Sequence, residues 1–434
     1  MVIAGATIGL TACQALPSLG QVFNAVPAPV NAPGDPLATV QAILTATAAG
    51  WTATSPPSAT LPPSLTPLPT TTPSPGSEAA PRPTETPFPT FTITAFDLPI
   101  NVGPSYFAAG INPLTGLTVV DSTLLERRPL AIKIANYPRR VRPQSGLSLA
   151  DIVFEYYIEL GATRFISVFY GNNASWVGPI RSGRFFDEHV VRMYDALFAF
   201  ASADDRVLET WLESDLLTRL IMPQTGGCPP LCRDPQNPDY NNLYAITEYI
   251  APYAQTNGAT NDRPELHGMR FQSLVPWGGE PATDVFVRYS RLVYTHWQYD
   301  PAAGLYGRFQ DSSDDNGDGE QYLALMDELT GAQVSAANVV ILIVSHEEFV
   351  KTSDTEIVKI HLQGVGSAYV FRDGQVYPAT WVRSATSEPL QIYRAGPGST
   401  LYPLKPGPTF FQVVGLTTTI EEDGTSWRFK FGIP

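Results

Sequence analysis

Residues 151–159 alternate in character: Ile152, Phe154, Tyr156 and Ile158 fall on one face of an extended chain, while Asp151, Glu155 and Glu159 fall on the other. A period of two predicts a strand. Gly161 offers a turn and 164–170 a second strand, so the pair reads as an antiparallel hairpin. Upstream, the run Pro-Leu-Ala-Ile-Lys-Ile-Ala at 129–135 reads as a buried strand, followed by a basic loop at 139–146. After the hairpin the period changes. Phe186, Val190, Met193, Tyr194 and Leu197 recur at helical spacing, and Ser182 stands where it can cap that helix. A strand at 196–201 and a helical pattern over 205–220 follow. The stretch 106–275 is therefore a mixed α/β domain. From Thr283 onward, apolar runs at 284–289, 292–299, 339–344, 356–362, 368–371, 376–382, 390–393 and 410–414 alternate with turns. They predict a mostly antiparallel β domain over 276–434, and an α+β fold for the whole.

The N-terminal part follows another pattern. Residues 2–12 are apolar or small and end at Cys13, a run too short to span a bilayer, which takes about 20 apolar residues. Leu10-Thr11-Ala12-Cys13 resembles a bacterial lipobox. That resemblance implies a truncated lipoprotein signal over 1–13, cleaved before Cys13, with that cysteine lipidated. The basic n-region of such signals is missing, since the first Lys or Arg in the chain is Arg82. A buried helix carrying an ordinary cysteine is the plain alternative. Between Pro27 and Pro89 stand 16 of the 41 prolines, interleaved with Thr, Ser and Ala. Such a composition cannot bury enough apolar area to fold, so 14–105 is expected to be a disordered Pro/Thr-rich tether. Its reach is roughly 200 Å when fully extended. The expected setting is the bacterial cell membrane, lipid-anchored and outward facing, with the membrane itself as a partner. A free flexible tail is the alternative.

Composition narrows the function classes. The chain has 434 residues, 44% of them hydrophobic, which is ample for a real core, and a net charge of -14. A general nucleic-acid binder needs a broad basic face, so nucleic acid is excluded as a partner. Positive charge is local. Residues 121–192 carry ten Lys or Arg against seven Asp or Glu. Within that stretch Arg181 and Arg184 lie three apart at the expected helix start, beside backbone N–H groups a helix leaves unpaired, and Arg164 opens the neighbouring strand. Planar guanidinium groups grip phosphate or carboxylate bidentately, so these three are candidate ligands for an anionic cell-envelope molecule or a protein partner. Ion pairs with Asp151, Glu155, Asp187 or Glu188 are the plain structural reading. Under a second functional reading, one of these carboxylates holds Mg²⁺ against a pyrophosphate.

Other candidates are scattered. Asn242 and Tyr244, with Tyr240, could line a ligand cleft, although Asn and Tyr in a polar loop more often serve turns and packing. Cys228 and Cys232 flank Pro-Pro-Leu, and in an oxidising compartment a disulfide is the natural reading, worth roughly 2 kcal/mol through its small loop. Asp314-Asp315-Asn316-Gly317-Asp318-Gly319 reproduces the first half of a calcium loop, with Asp314, Asn316 and Asp318 as ligands. Position twelve is Leu325, so the closing carboxylate is missing. A solvated acidic hairpin loop is the alternative. Neither a His-Glu-x-x-His helix nor a Gly-x-Ser-x-Gly elbow occurs, so no reaction is named, and the enzyme question stays open with binding favoured.

Several segments in order resemble the YerB-like bacterial lipoproteins, a two-domain family of unknown function. They are Asn112-Pro113-Leu114-Thr115-Gly116-Leu117, Arg128-Pro129-Leu130-Ala131, Arg142-Pro143-Gln144-Ser145-Gly146-Leu147, Ala150-Asp151-Ile152-Val153-Phe154-Glu155, Thr163-Arg164-Phe165 and 178–184. Asn242-Leu243-Tyr244 is similar to a short segment of the family, with Asn241 standing where the family carries His. Trp381 and Lys405-Pro406-Gly407 resemble its C-terminal domain. The likeness spans roughly 112–415 and implies a lipoprotein without implying an activity. A weaker likeness of the first domain, an acidic hairpin followed by an arginine-bearing turn, is to the LytR-CpsA-Psr enzymes. That likeness implies a phosphotransferase acting on polyprenyl-pyrophosphate-linked glycopolymer as the alternative function, and fold likeness alone does not carry function.

Overall fold

The computed structural model describes residues 101–223, 227–352, 355–395 and 400–432. Cys13 and the Pro/Thr-rich segment up to residue 100 lie outside the described residues. The chain is already bridged at Val102, to Phe271, ahead of the turn at Asn112 where the sequence places the start of order.

The first half supplies β1 (Leu130–Ala135), β2 (Ile152–Glu159), β3 (Ala162–Phe169), β4 (Leu197–Ala199), β5 (Leu220–Ile221) and the small hairpin β6 (Leu231–Arg233) and β7 (Leu243–Ala245). Its helices are α1 (Phe185–Met193), α2 (Asp205–Leu212) and α3 (Thr247–Thr256). The second half is all β: β8 (Glu280–Pro281), β9 (Asp284–Arg288), β10 (Tyr294–Asp300), β11 (Leu305–Asp311), β12 (Tyr322–Ala324), β13 (Ser335–Ala336), β14 (Asn338–Val344), β15 (His346–Lys351) and β16 (Glu356–Ile360). It continues with β17 (Gly364–Arg372), β18 (Gln375–Arg383), β19 (Gln391–Arg394), β20 (Thr409–Gly415), β21 (Thr419–Asp423) and β22 (Ser426–Lys430). The α+β class holds, with the helices in the first half and mostly antiparallel strands in the second.

The large sheet runs β19-β18-β17-β14-β20-β2-β3-β1-β4-β5, with β8 added on β18. Strands from both halves of the chain are therefore hydrogen-bonded into one sheet. The join is β20, which lies parallel to β14 on one side and to β2 on the other. Its sequence, Thr-Phe-Phe-Gln-Val-Val-Gly, is buried throughout, as suits a central strand covered on both faces. A second sheet, β12-β11-β10-β9-β22-β21 with β13 on β11, covers one face of the first. Trp297 of β10 sits 4.8 Å from Phe410 of β20 across that interface. On the opposite face α1 packs through Phe186 onto Phe154 and Tyr156 of β2.

Three expectations change. The helix expected over 205–220 stops at Leu212, because the Ser214 hydroxyl donates to the Trp211 carbonyl and competes with the next helical turn. Ser182 is not a helix cap. Arg184 is the residue at that boundary, and the Ser182 hydroxyl pairs with that of Ser202 at 2.9 Å. Glu159, expected opposite Tyr156, is brought round by a register shift between Tyr157 and Glu159 and meets Arg164 and Arg184 instead. Strands β5, β6, β7, β8, β11, β12, β13, β15, β21 and β22 and helix α3 have no counterpart in the pattern reading.

Candidate anion-binding site

Residues 178–184 run as an extended segment rather than a helix start. The Arg181 amide donates to the Lys133 carbonyl at 3.0 Å, continuing the edge of β1, and the Gly183 amide donates to the Ser202 carbonyl at 2.7 Å. Asp187, one turn into α1, accepts from the Arg184 amide at 2.7 Å. The amides of Arg181, Gly183 and Arg184 are thus spent on the protein itself.

The side chains around this segment form a buried polar cluster. Lys133 is the one ionisable residue in the apolar run of β1 and has no exposure. Its ammonium bonds the Tyr156 hydroxyl and donates to Asp187 Oδ1 at 3.0 Å; the Tyr156 hydroxyl donates to the same oxygen at 2.5 Å. Burial pushes the Lys133 pKa down to about 7, with Asp187 pulling the other way and the charges of Arg164 and Arg184 adding to the fall. Burial likewise drives the Tyr156 hydroxyl well above its ordinary value.

Arg164 and Arg184 share one carboxylate. Arg184 Nη2 lies 2.5 Å and Arg164 Nη2 3.5 Å from Glu159 Oε1, and Arg164 Nη1 donates to the Ser182 carbonyl at 2.6 Å. Arg164 is 4% exposed, and burial together with the Arg184 charge lowers its pKa to about 9. Arg181 sets its guanidinium 5.1 Å from the Tyr240 ring centre, and Arg140 approaches the same ring at 5.7 Å. Within this cluster two guanidinium nitrogens, Nε of Arg164 and Nε of Arg181, are buried with no hydrogen-bond partner among the described residues, as are Nε of Arg127 and Nη1 of Arg308 elsewhere. Lys133, Arg164 and Arg184 thus gather about Glu159 and Asp187, with Arg181 near enough for its charge to act on Arg164, and a buried donor without an acceptor is costly. The electrostatics favour a further negative group.

The structure brings Arg164, Arg181 and Arg184 together. The carboxylates considered as structural partners are engaged elsewhere: Asp151 accepts from Asn112 and the amides of Tyr170 and Gly171, Glu155 pairs with Arg308, Asp187 with Lys133 and Glu188 with Arg192. Glu159 is the partner that sequence reasoning left out, hidden by the bulge. Lys133 was missed as well, although a lone lysine in a buried strand was the available signal.

Asn242 and Tyr244 stand apart from the arginines. Asn242 ties its own loop, accepting from Arg233 at 2.7 Å and donating to the Asn237 carbonyl at 2.8 Å. Tyr244 stacks on Trp176 at 4.8 Å, and its ring lies against Gly178, where an added Cβ would come within 2.8 Å of it. Tyr240, 63% exposed, is the loop residue that reaches the cluster.

Cys228 and Cys232 form a disulfide. In the acidic loop, Asp314 accepts from Arg139 at 2.6 Å and from Arg291 at 3.2 Å, and Asn316 from Arg291 at 2.8 Å. Asp318 accepts from the Asn316 amide at 3.3 Å. Among the described residues no group of three or more His, Cys, Asp or Glu is placed to hold a metal ion.

A first half carrying a buried basic cluster, its sheet completed by a β-rich second half, defines a two-part α+β protein. The first half matches the N-terminal domain of a family described as protein of unknown function (DUF3048), over residues 114–260, and the second matches the C-terminal domain of the same family, over 285–411. The chain belongs to this two-domain, YerB-like family. It is 28% identical over 272 residues to a Bacillus subtilis (strain 168) protein named "Putative lipoprotein YerB", covering 62% of this chain and 77% of that one. The crystal structure of YerB protein from Bacillus subtilis superposes with a TM-score of 0.58 at 26% identity, covering 70% of this chain and 96% of that one.

Proposed function

We propose that this chain is a membrane-tethered, outward-facing lipoprotein whose first half binds an anionic ligand of the cell envelope through Arg164, Arg181 and Arg184. The observation that carries the binding reading is the pair of buried, unpartnered guanidinium nitrogens within a cluster of four cations. Bidentate recognition by arginine favours a phosphate or carboxylate group. Cys13 with its preceding Leu-Thr-Ala, the proline-rich segment after it and the lipoprotein name of the Bacillus relative support the tether. Among the described residues no helix is long and apolar enough to cross a membrane.

Inorganic pyrophosphate is a suitable probe. It should raise the melting temperature of the full chain, and both Arg181→Ala and Arg184→Ala should remove most of that rise while leaving the unliganded melting temperature within a few degrees. An unliganded protein that ignores pyrophosphate and sulfate alike would leave the arginines as structural partners of Glu159 and Tyr240.

A further inference from the structure

The arginine cluster carries a countable excess of charge. Lys133 and Asp187 form one buried ion pair, and Asp204 with Arg206 and Asp239 with Arg140 form two more around it. That leaves Arg164, Arg181 and Arg184 against Glu159, three positive charges against one negative. Arg181 meets the ring of Tyr240 and, among the described residues, no carboxylate within ion-pair distance. The local excess is therefore two positive charges.

The one negative member is a fixed part of the site. Tyr157 and Leu160 flank Glu159 in sequence, and Glu356 of β16 holds both: the Tyr157 hydroxyl donates to its two oxygens at 2.9 and 3.0 Å, and the Leu160 amide donates to Oε2 at 2.7 Å. Glu356 is 5% exposed, so the second half of the chain pins the turn that carries Glu159. Both arginine contacts fall on the same oxygen, Oε1. The unpartnered buried donors, Nε of Arg164 and Nε of Arg181, belong to different side chains, so they call for a group with acceptors in more than one direction. A terminal phosphate offers three strong acceptor oxygens and close to two negative charges. A carboxylate or a phosphodiester offers two charged-group oxygens and a single charge, which leaves one unit of the excess unmatched.

We propose that the cluster takes a doubly charged phosphate group, as at the end of a phosphate monoester, and that Glu159 tunes it against carboxylates and phosphodiesters by holding the excess at two. Selection of this kind rests on the anion-binding reading of the same arginines, whose class of ligand it narrows. Without Glu159 the three guanidinium groups would draw any anion strongly. With it, a single negative charge gains less than a double one, because Coulomb energy scales with the charge of the ligand.

The test titrates methyl phosphate, dimethyl phosphate and acetate into the full chain by calorimetry at pH 6.5 and constant ionic strength. There Lys133 keeps its proton, and methyl phosphate, with a second pKa of about 6, is mostly dianionic. Methyl phosphate should bind on the order of tenfold more tightly than either monoanion. Glu159→Gln keeps an oxygen for Arg184 and removes the charge. It should tighten methyl phosphate by about the square of the factor by which it tightens dimethyl phosphate. The ratio in the parent needs no variant, so it decides the matter even if Glu159→Gln fails to fold. A chain that pyrophosphate stabilises but that binds methyl phosphate no better than dimethyl phosphate keeps the anion site and loses the selection for a dianion. Equal gains for both esters in Glu159→Gln would overturn the part given to Glu159. A chain that none of these anions binds, pyrophosphate included, overturns both readings.

Discussion

Arg308 Nη2 lies 2.7 Å from Glu155 Oε2, and both side chains are fully buried between the two sheets. The pair joins β11 of the second half to β2 of the first. The guanidinium is enclosed by the rings of Phe165, Trp297 and Phe410 at 5.0, 5.0 and 5.4 Å. Glu155 keeps its other oxygen for Asn136 and Thr163 at 2.8 and 2.7 Å. Removing one member of such a pair leaves an uncompensated buried charge. Glu155→Gln alone should lower the unfolding free energy by about 3–5 kcal/mol, and adding Arg308→Met should restore much of it, because the glutamine amide oxygen still accepts from Asn136 and Thr163. Denaturant unfolding of the two single variants and the double decides it. A Glu155→Gln protein as stable as the parent would mean the pair is idle.

Lys133 of β1 lies on the other face of the large sheet, beside Tyr156 of β2, and its titration has a definite sign. The folded pKa is lowered to about 7 by burial, against about 10.4 for an unfolded lysine. Between those values the unfolded chain holds a proton that the folded chain does not, so stability rises with pH. Below about pH 7 both states are protonated and the cost of the buried charge is constant. The slope contributed is at most about 1.4 kcal/mol per pH unit. Lys133→Met should remove it. Unfolding free energies of parent and variant at pH 6 to 10 should differ by an amount that changes through this window; a constant difference would show that Lys133 stays charged throughout.

The acidic loop gives the opposite kind of test. Asp314 and Asn316 already accept from Arg139 and Arg291, and Arg139 also holds the buried Asp311 at 2.6 Å. A hydrogen bond from Arg139 holds the Asp314 carboxyl below its ordinary range. Calcium would have to displace both guanidinium groups from a loop whose twelfth position is Leu325. Millimolar calcium should leave the melting temperature of the parent unchanged, and Arg139→Met should lower it by removing one of the two guanidinium groups that hold Asp311 and the one that holds Asp314 most closely. A calcium-dependent rise of several degrees in the parent protein would place the cation in the loop after all.

How much of this was legible depends on whether the information is local. The alternation at 152–158 and the apolar run at 130–135 yield β1, β2 and β3 because each is read within eight residues. The Asp205 helix was legible in its start, but its stop depends on one serine hydroxyl. The union of the halves through β20 was not legible, since nothing in Thr-Phe-Phe-Gln-Val-Val-Gly says that one neighbour is β14 and the other β2. The three arginines were found by spacing and local charge. Glu159, the partner shared by Arg164 and Arg184, was misplaced because a single bulge reverses the face of everything after it.

Gly183 links the packing of the arginine segment to its binding. A Cβ there would stand 2.6 and 2.8 Å from Cη2 and Cζ3 of Trp211. The tryptophan cannot yield easily. It is 1% exposed and wedged edge-on against Phe198 and Phe200 at 5.6 and 5.4 Å. Gly183→Ala should therefore push the 181–184 segment away from α2, costing about 1–3 kcal/mol of stability and moving Arg181 and Arg184 relative to Arg164. Pyrophosphate stabilisation should fall with it. Trp211→Phe in the same chain removes the clashing part of the ring, so the double variant should regain pyrophosphate stabilisation even if the smaller ring leaves the core less stable. If Gly183→Ala loses stability but binds pyrophosphate as the parent does, the arginines do not act through the geometry set by this turn.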